Sequence, residues 1–172
     1  MLGPVVVPRS AIEGMLDRLA REIDADMVSK SPVFIGVLKG CVFFFTDLVM
    51  RLNRSVEMDF IQVSSYGAST TSSGSVVLVK DITVDVRDRD IYLVEDIVDT
   101  GRTFSKVIRM MQNRNPRSLK VCTFLNKQEA RLVDVVIDFC GVDIPNEFAV
   151  GYGLDFAQEY RNLPYIGVLD PD

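Results

Sequence analysis

Apolar positions along the chain change period several times, and each change marks an element. Ile12, Met15, Leu16, Leu19 and Ile23 follow helical spacing and predict a first helix over about 10–27. Ser10-Ala-Ile-Glu13 carries the residue pattern of a capping box at its start. Val33 to Leu38 is a short apolar run, which predicts a buried strand. Val42 to Leu52 returns to helix, with Phe43, Leu48 and Leu52 among its apolar positions, and Val56 to Val63 is rich in β-formers. Ser64 to Gly74 is polar and rich in Gly, Ser and Thr; it reads as a long loop between two strands, the second being Ser75 to Val79. Ile91 to Val94 is a strand. Phe104, Val107, Ile108 and Met111 mark a helix that begins near Gly101 and ends at Asn115-Pro116. Leu119–Leu125, Val133–Phe139, Phe148–Val150 and Tyr165–Leu169 read as later strand candidates. Strands alternate with helices over the first two thirds, which predicts an α/β fold with a mostly parallel central sheet covered on both faces. The last third is richer in strand and loop and reads as an appended lobe. No repeat and no interdomain linker interrupts the chain, so 1–172 is expected to be a single domain.

Composition narrows the chemistry. Apolar residues are 48% and charged residues 25%, as in an ordinary globular protein, and the longest apolar runs are far too short to span a membrane. The N-terminus lacks the pattern of a secretory signal, so a cytoplasmic protein with no membrane partner is expected. Cys41, Cys122 and Cys140 have no CxxC spacing and read as reduced thiols in apolar surroundings. Histidine is absent, which removes histidine-based triads and the usual zinc sites and leaves proton transfer to Asp, Glu, Lys or Tyr. A formal charge of -5 disfavours a nucleic-acid partner. An anionic substrate would therefore depend on helix N-termini, a few Lys or Arg side chains and metal ions held by clustered acids.

One string meets those needs. In an open α/β sheet, ligands bind beyond the carboxyl ends of the strands. After Ile91–Val94 that position reads Glu95-Asp96-Ile97-Val98-Asp99-Thr100-Gly101-Arg102-Thr103. Two adjacent acids beside an apolar core suit vicinal hydroxyls or a divalent cation. Thr-Gly-Arg-Thr then opens a helix, whose backbone N–H groups and threonine hydroxyls make a nest for a phosphate dianion, with Gly101 allowing close approach. A diol site and a phosphate site a few residues apart fit a ribose 5-phosphate. The blander alternative is that Asp99 or Thr100 caps the helix and the acids are solvated.

The string Val94 to Thr103 closely resembles the phosphoribosyl-pyrophosphate motif of type I phosphoribosyltransferases, and its Glu-Asp-Ile-Val-Asp-Thr-Gly form resembles the hypoxanthine-guanine branch. Other motifs of that family recur in order along most of the chain. The resemblance implies a twisted, mostly parallel sheet with helices on both faces and a small hood lobe, made by the N-terminal segment and the part from about 140 to 172. It implies transfer of 5-phosphoribosyl from phosphoribosyl pyrophosphate to N9 of hypoxanthine or guanine, giving IMP or GMP and pyrophosphate, with Mg2+ as cofactor. It also implies a homodimer or homotetramer.

Residue by residue, the resemblance assigns Leu38-Lys39-Gly40 to the pyrophosphate loop, where a lysine opposing a helix dipole calls for an anion nearby. Ser64-Ser65-Tyr66-Gly67 matches the start of a mobile catalytic loop, with Ser65 and Tyr66 on the sugar donor. Glu95 and Asp96 are assigned to the ribose hydroxyls, directly or through metal, and Thr100, Gly101 and Thr103 to the 5′-phosphate, with Arg102 in support. Lys127, in Phe124-Leu-Asn-Lys127, would donate to the 6-oxo group; read alone it is an ordinary surface lysine. Phe148 would stack on the base and Ala149 contact it through its backbone, with alanine standing where a larger aliphatic is common. Asp155 would border the base and bind magnesium with pyrophosphate, and Arg161 would contact pyrophosphate. Asp99 is the candidate general base or proton carrier at purine N7. Lys127 and the Glu-Asp form disfavour adenine or pyrimidine transfer. A regulatory protein of the same fold, binding nucleotide and RNA, is the alternative class; the acidic net charge and the lack of a basic run weigh against it.

Overall fold

The computed structural model describes residues 1–28, 31–65 and 76–169. In chain order the elements are β1 (Leu2–Val7), α1 (Arg9–Asp26), β2 (Val33–Leu38), α2 (Val42–Val49), β3 (Glu57–Ser65), β4 (Val76–Lys80), β5 (Asp90–Val98), α3 (Arg102–Gln112), β6 (Ser118–Asn126), β7 (Phe139–Asp143), β8 (Ala149–Val150) and β9 (Ile166–Leu169). A short 3-10 turn, Gln128–Ala130, follows β6.

Side-chain alternation on the strands sets the layers. Phe34 on β2 and Tyr92 and Val94 on β5 bury into one face, where α1 and α2 cover them with Leu16, Leu19, Ile23, Phe44, Phe45 and Leu48. Val33, Ile35 and Val37 on β2 and Ile91 and Leu93 on β5 bury into the other, where α3 lays down Phe104, Val107 and Met111. The six-stranded sheet has the order β4-β3-β2-β5-β6-β7, and only the β3–β4 pair is antiparallel. This is the mostly parallel sheet with helices on both faces that the pattern predicts. A second sheet of three strands, β1-β9-β8, joins the N-terminal segment to the last part of the described chain.

The strand order places the site. From β2 the chain continues to β3 on one side; from β5 it continues to β6 on the other. The order thus reverses between β2 and β5, and their carboxyl ends border the crevice left where the connections diverge.

Several expectations are corrected. The capping box does not form. Pro8, with extended backbone, is the N-cap, and its carbonyl accepts the N–H groups of Ala11 and Ile12. Ser10 therefore lies inside the helix, and Glu13 pairs with Arg9 at 3.1 Å. Strand β1 was not predicted. The strand expected at Val133–Phe139 lies at Phe139–Asp143 instead. Val135 and Ile137 do pack toward α3, but the backbone of this stretch bonds elsewhere. Val133 N–H donates to Thr100, and the Asp138 carboxylate accepts the Val121 N–H that a ladder would have used. Helix α2 stops at Val49 rather than Leu52. Strand β5 runs on through Val98, four residues past its predicted end.

Candidate functional site

The extension of β5 changes the setting of the acidic pair. Glu95 and Asp96 lie on the strand rather than in a loop, and Glu95 sits opposite Thr123 of β6. The face alternation slips by one residue here. Tyr92, Val94 and Ile97 pack toward one core layer, and Leu93 and Val98 toward the other. Asp96 N–H donates to the Glu95 carboxylate at 3.1 Å, and Ile97 N–H to that of Asp96 at 2.8 Å. Burial, and then the neighbouring Asp96, push Glu95 well above the usual carboxylate range; burial raises Asp96 as well. Two adjacent, half-buried carboxyls disfavour each other's charge, and a cation beside them would relieve that repulsion. Magnesium commonly takes one or two carboxylates and completes its shell with water and phosphate oxygens, so this pair fits it.

The Leu38–Lys39 peptide is cis, and the turn it belongs to packs directly against the acids. A Cβ on Gly40 would overlap the Asp96 carboxylate. From the far side Gly153, with φ at 106°, presses so closely that a Cβ there would overlap the Gly40 carbonyl oxygen. Lys39 Nζ lies 3.5 Å from Gln158 Oε1, and Arg161 Nη2 lies 3.3 Å from the same oxygen. Two cations therefore converge on one neutral oxygen, which is the electrostatics of an anion site. Arg161 also pairs with Asp155 at 2.7 Å and donates to the Gly153 carbonyl at 2.6 Å.

The Thr-Gly-Arg-Thr helix start lies at the other end of the string. Gly101 is the N-cap of α3, with φ at 78°, and no side chain caps the helix. Its Cβ would run into the Val133 carbonyl oxygen, so a side chain is excluded by space as well as by conformation. Asp99 is thus not spent on capping, and among the described residues the first-turn N–H groups around Arg102 and Thr103 have no side-chain acceptor beyond a long contact from Arg102 N–H to Thr100 Oγ1 at 3.4 Å. Arg102 is exposed.

Between these two ends is a cavity of about 200 Å³, lined by Asp96, Ile97, Asp99, Lys127, Phe148, Ala149, Leu154 and Asp155. Lys127 is only 6% exposed, so it is not the surface lysine that its sequence context allowed. Its ammonium faces Asp99 Oδ2 at 3.6 Å. Phe148 is 41% exposed and packs edge-on against Phe156 at 5.6 Å, which leaves ring surface free to face a ligand. All four residues assigned to the purine line this one space. Glu95, Asp96 and Asp155 do not form a single metal-ligand set, because Asp155 is held by Arg161. Among the described residues no three acidic or thiol side chains converge. The side chain of Ser65, and Tyr66 with the loop after it, lie outside the described residues.

Two contributors carry no sequence signal. Gln158 bridges Lys39 and Arg161 from a turn whose backbone has positive φ at Ala157, Gln158 and Tyr160. Arg131 reaches back from the segment after β6 to the carbonyls of Val98 and Asp99. Neither stands in a motif or a periodic pattern.

Residues 8–157 match the family described as phosphoribosyl transferase domain. The hypoxanthine-guanine phosphoribosyltransferase of Bacillus subtilis is 44% identical over 97% of this chain and 93% of its own length. The bifunctional protein TilS/HprT of Listeria innocua is also 44% identical, over 98% of this chain, but the chain spans only 26% of that relative. The crystal structure of a hypoxanthine phosphoribosyltransferase from Staphylococcus aureus superimposes with a TM-score of 0.93 at 38% identity, covering 99% of this chain and 92% of that one.

Proposed function

The chain belongs to the phosphoribosyl transferase domain family, and from that membership we propose that it is a purine salvage enzyme of the cytoplasm. It transfers 5-phosphoribosyl from phosphoribosyl pyrophosphate to N9 of hypoxanthine or guanine. The observation that carries this reading is the cavity in which buried Lys127, Asp99 and Phe148 meet beside the phosphate nest and the acidic pair.

In the reaction, the bond from C1′ to the pyrophosphate oxygen breaks ahead of formation of the bond to N9, and positive charge builds on the ribose. Thr100 to Thr103 hold the 5′-phosphate and Glu95 and Asp96 the ribose hydroxyls, so that C1′ meets the base in an attack geometry. Lys39 and Arg161 take the pyrophosphate, displacing Gln158 from between them. Glu95 and Asp96 would hold magnesium, with Asp155 a further ligand if Arg161 gave it up, and the ion would supply neutralisation of charge on the pyrophosphate. Phe148 stacks on the purine, the backbone of Ala149 meets its edge, and Lys127 donates to the 6-oxo oxygen. A lysine can donate to a carbonyl but cannot accept from an amino group, which sets adenine apart. Asp99 accepts the purine proton at N7. The three-stranded sheet closes the site as a hood. The exposed apolar residues Phe43 on α2, Met50 just after it, and Val77 and Val79 on β4 support assembly into a homodimer or homotetramer.

Initial rates with hypoxanthine, guanine, xanthine and adenine, each with phosphoribosyl pyrophosphate and magnesium, test the reading. Nucleotide should form from hypoxanthine or guanine and not from adenine. Equal use of adenine, or no product from any base, would overturn it. Lys127→Ala should raise KM for the 6-oxopurine about tenfold or more, the loss expected when a charged donor to a carbonyl is removed, while KM for the sugar donor stays within about twofold. An unchanged purine KM would remove Lys127 from base recognition.

A further inference from the structure

The loop after β5 is shaped by what happens to three successive carbonyls. The Val98 carbonyl accepts from Lys127 N–H at 3.0 Å and from Arg131 Nη2 at 3.2 Å. The Thr100 carbonyl accepts from the N–H groups of Leu132 and Val133, both at 3.0 Å. Between them, the Asp99 carbonyl accepts from Arg131 Nε at 3.0 Å. All three oxygens are thus drawn toward the segment 127–133. A trans peptide sets its N–H opposite its C=O, so the N–H groups of Asp99, Thr100 and Gly101 are turned the other way. Successive N–H groups sharing one side form an anion-binding nest.

The outer two carbonyls are held by backbone, which any residue supplies. The middle one is held by a side chain. We propose that Arg131 is a positioning residue: by holding the Val98 and Asp99 carbonyls it keeps the Asp99 and Thr100 N–H groups turned into the 5′-phosphate nest and aims the Asp99 carboxylate at the base. This rests on the reading of the site as a phosphoribosyl-transfer centre.

The guanidinium is itself held in place. Nη2 also donates to Asn126 Oδ1, and Asn126 Nδ2 donates to Asp143 at 2.6 Å. A chain of bonds from β7 through β6 thus aligns Arg131 before any ligand arrives. Its planar fork spans two adjacent carbonyls, which an ammonium cannot do with the same geometry. Without the guanidinium the Asp99 carbonyl loses its donor, and the Asp99–Thr100 peptide is free to turn. One such turn would place a carbonyl oxygen where the phosphate needs an N–H. Arg131 is not among the residues that line the base cavity, so its effect should fall on the loop and on Asp99, not on the pyrophosphate side.

The test uses Arg131→Met and Arg131→Lys in the full chain, with ribose 5-phosphate and pyrophosphate as separate calorimetric probes, alongside kcat and thermal melting. Arg131→Met should weaken ribose 5-phosphate binding about tenfold and lower kcat by a similar factor, as expected when a reacting group is released from its geometry. Pyrophosphate binding and the melting temperature should stay near wild type, and Arg131→Lys should recover part of both losses. Wild-type ribose 5-phosphate affinity and kcat in Arg131→Met would overturn the proposal. So would equal weakening of both probes with a lowered melting temperature, which marks a merely structural arginine. If the wild-type protein binds ribose 5-phosphate but forms no nucleotide, the proposed reaction fails, and the binding arm still decides the role of Arg131 in the nest.

Discussion

Asp99→Asn is expected to lower kcat by about 10²- to 10³-fold, the span usual for loss of a positioned general base, while phosphoribosyl pyrophosphate binds with close to wild-type affinity. Asparagine keeps the shape of the side chain but cannot take a proton. The carboxylate sits past the end of β5, between the acidic pair and the start of α3, and lines the same cavity as Phe148. It does not cap α3, because Gly101 fills that position. Histidine is absent from the chain, so a carboxylate is the natural proton acceptor here. One complication has a clear signature. Asp99 faces the buried ammonium of Lys127 at 3.6 Å, so the substitution also removes a counter-charge. If that were its main effect, KM for the purine would move with kcat. A base role predicts a fall in kcat with little change in KM. Turnover within about twofold of wild type would remove Asp99 from the chemistry.

Gly40→Ala should cost a comparable amount by a steric route. The added methyl would occupy the space of the Asp96 carboxylate. Asp96 is short and is tied by the Ile97 N–H at 2.8 Å, so it cannot swing aside without breaking that bond. The turn cannot retreat either, because its carbonyl already abuts Gly153. Either the acidic pair or the Lys39 turn must therefore shift by an ångström or so. Displacements of that size at a reacting centre lower rates about 10²-fold. Measured kcat/KM for phosphoribosyl pyrophosphate should fall by about that factor, with secondary structure by circular dichroism unchanged. A variant with wild-type kinetics would show that the packing of Gly40 on Asp96 is not needed for the site.

Both predictions rest on residues that the sequence names, but with different clarity. Asp99 and Gly101 are legible because strand, acids and Thr-Gly helix start follow one another without a break. Local order along the chain is what encodes them. Lys127, Phe148, Asp155 and Arg161 look ordinary in their own neighbourhoods, and only a resemblance to the phosphoribosyltransferases singles them out. Their convergence depends on β6 lying beside β5 and on the turn around Gly153 pressing against Gly40. Arg131 and Gln158 are not legible at all, since each acts through a contact distant in sequence or on a strained turn.

The fold divides along the same line. Periods of about 3.6 and 2 residues, read along the chain, determined the helices α1 and α3, the buried strands and a parallel sheet covered on both faces, because burial of an apolar stripe is a local demand. Pairing is not a local demand. β1 escapes the pattern because its partner is β9, at the opposite end of the described chain. Val133 to Ile137 mimics a strand by partly burying alternate side chains, yet its backbone bonds to the loop after β5 at Thr100. The sequence alone determined that an acidic pair and a Thr-Gly helix start would follow one another where β5 ends. Only the tertiary structure decided that Glu95 and Asp96 lie on the strand as a half-buried pair and that Lys127 is buried against Asp99. The physical reason is desolvation: the state of a charge depends on what surrounds it in space, and neighbours in sequence do not specify those surroundings.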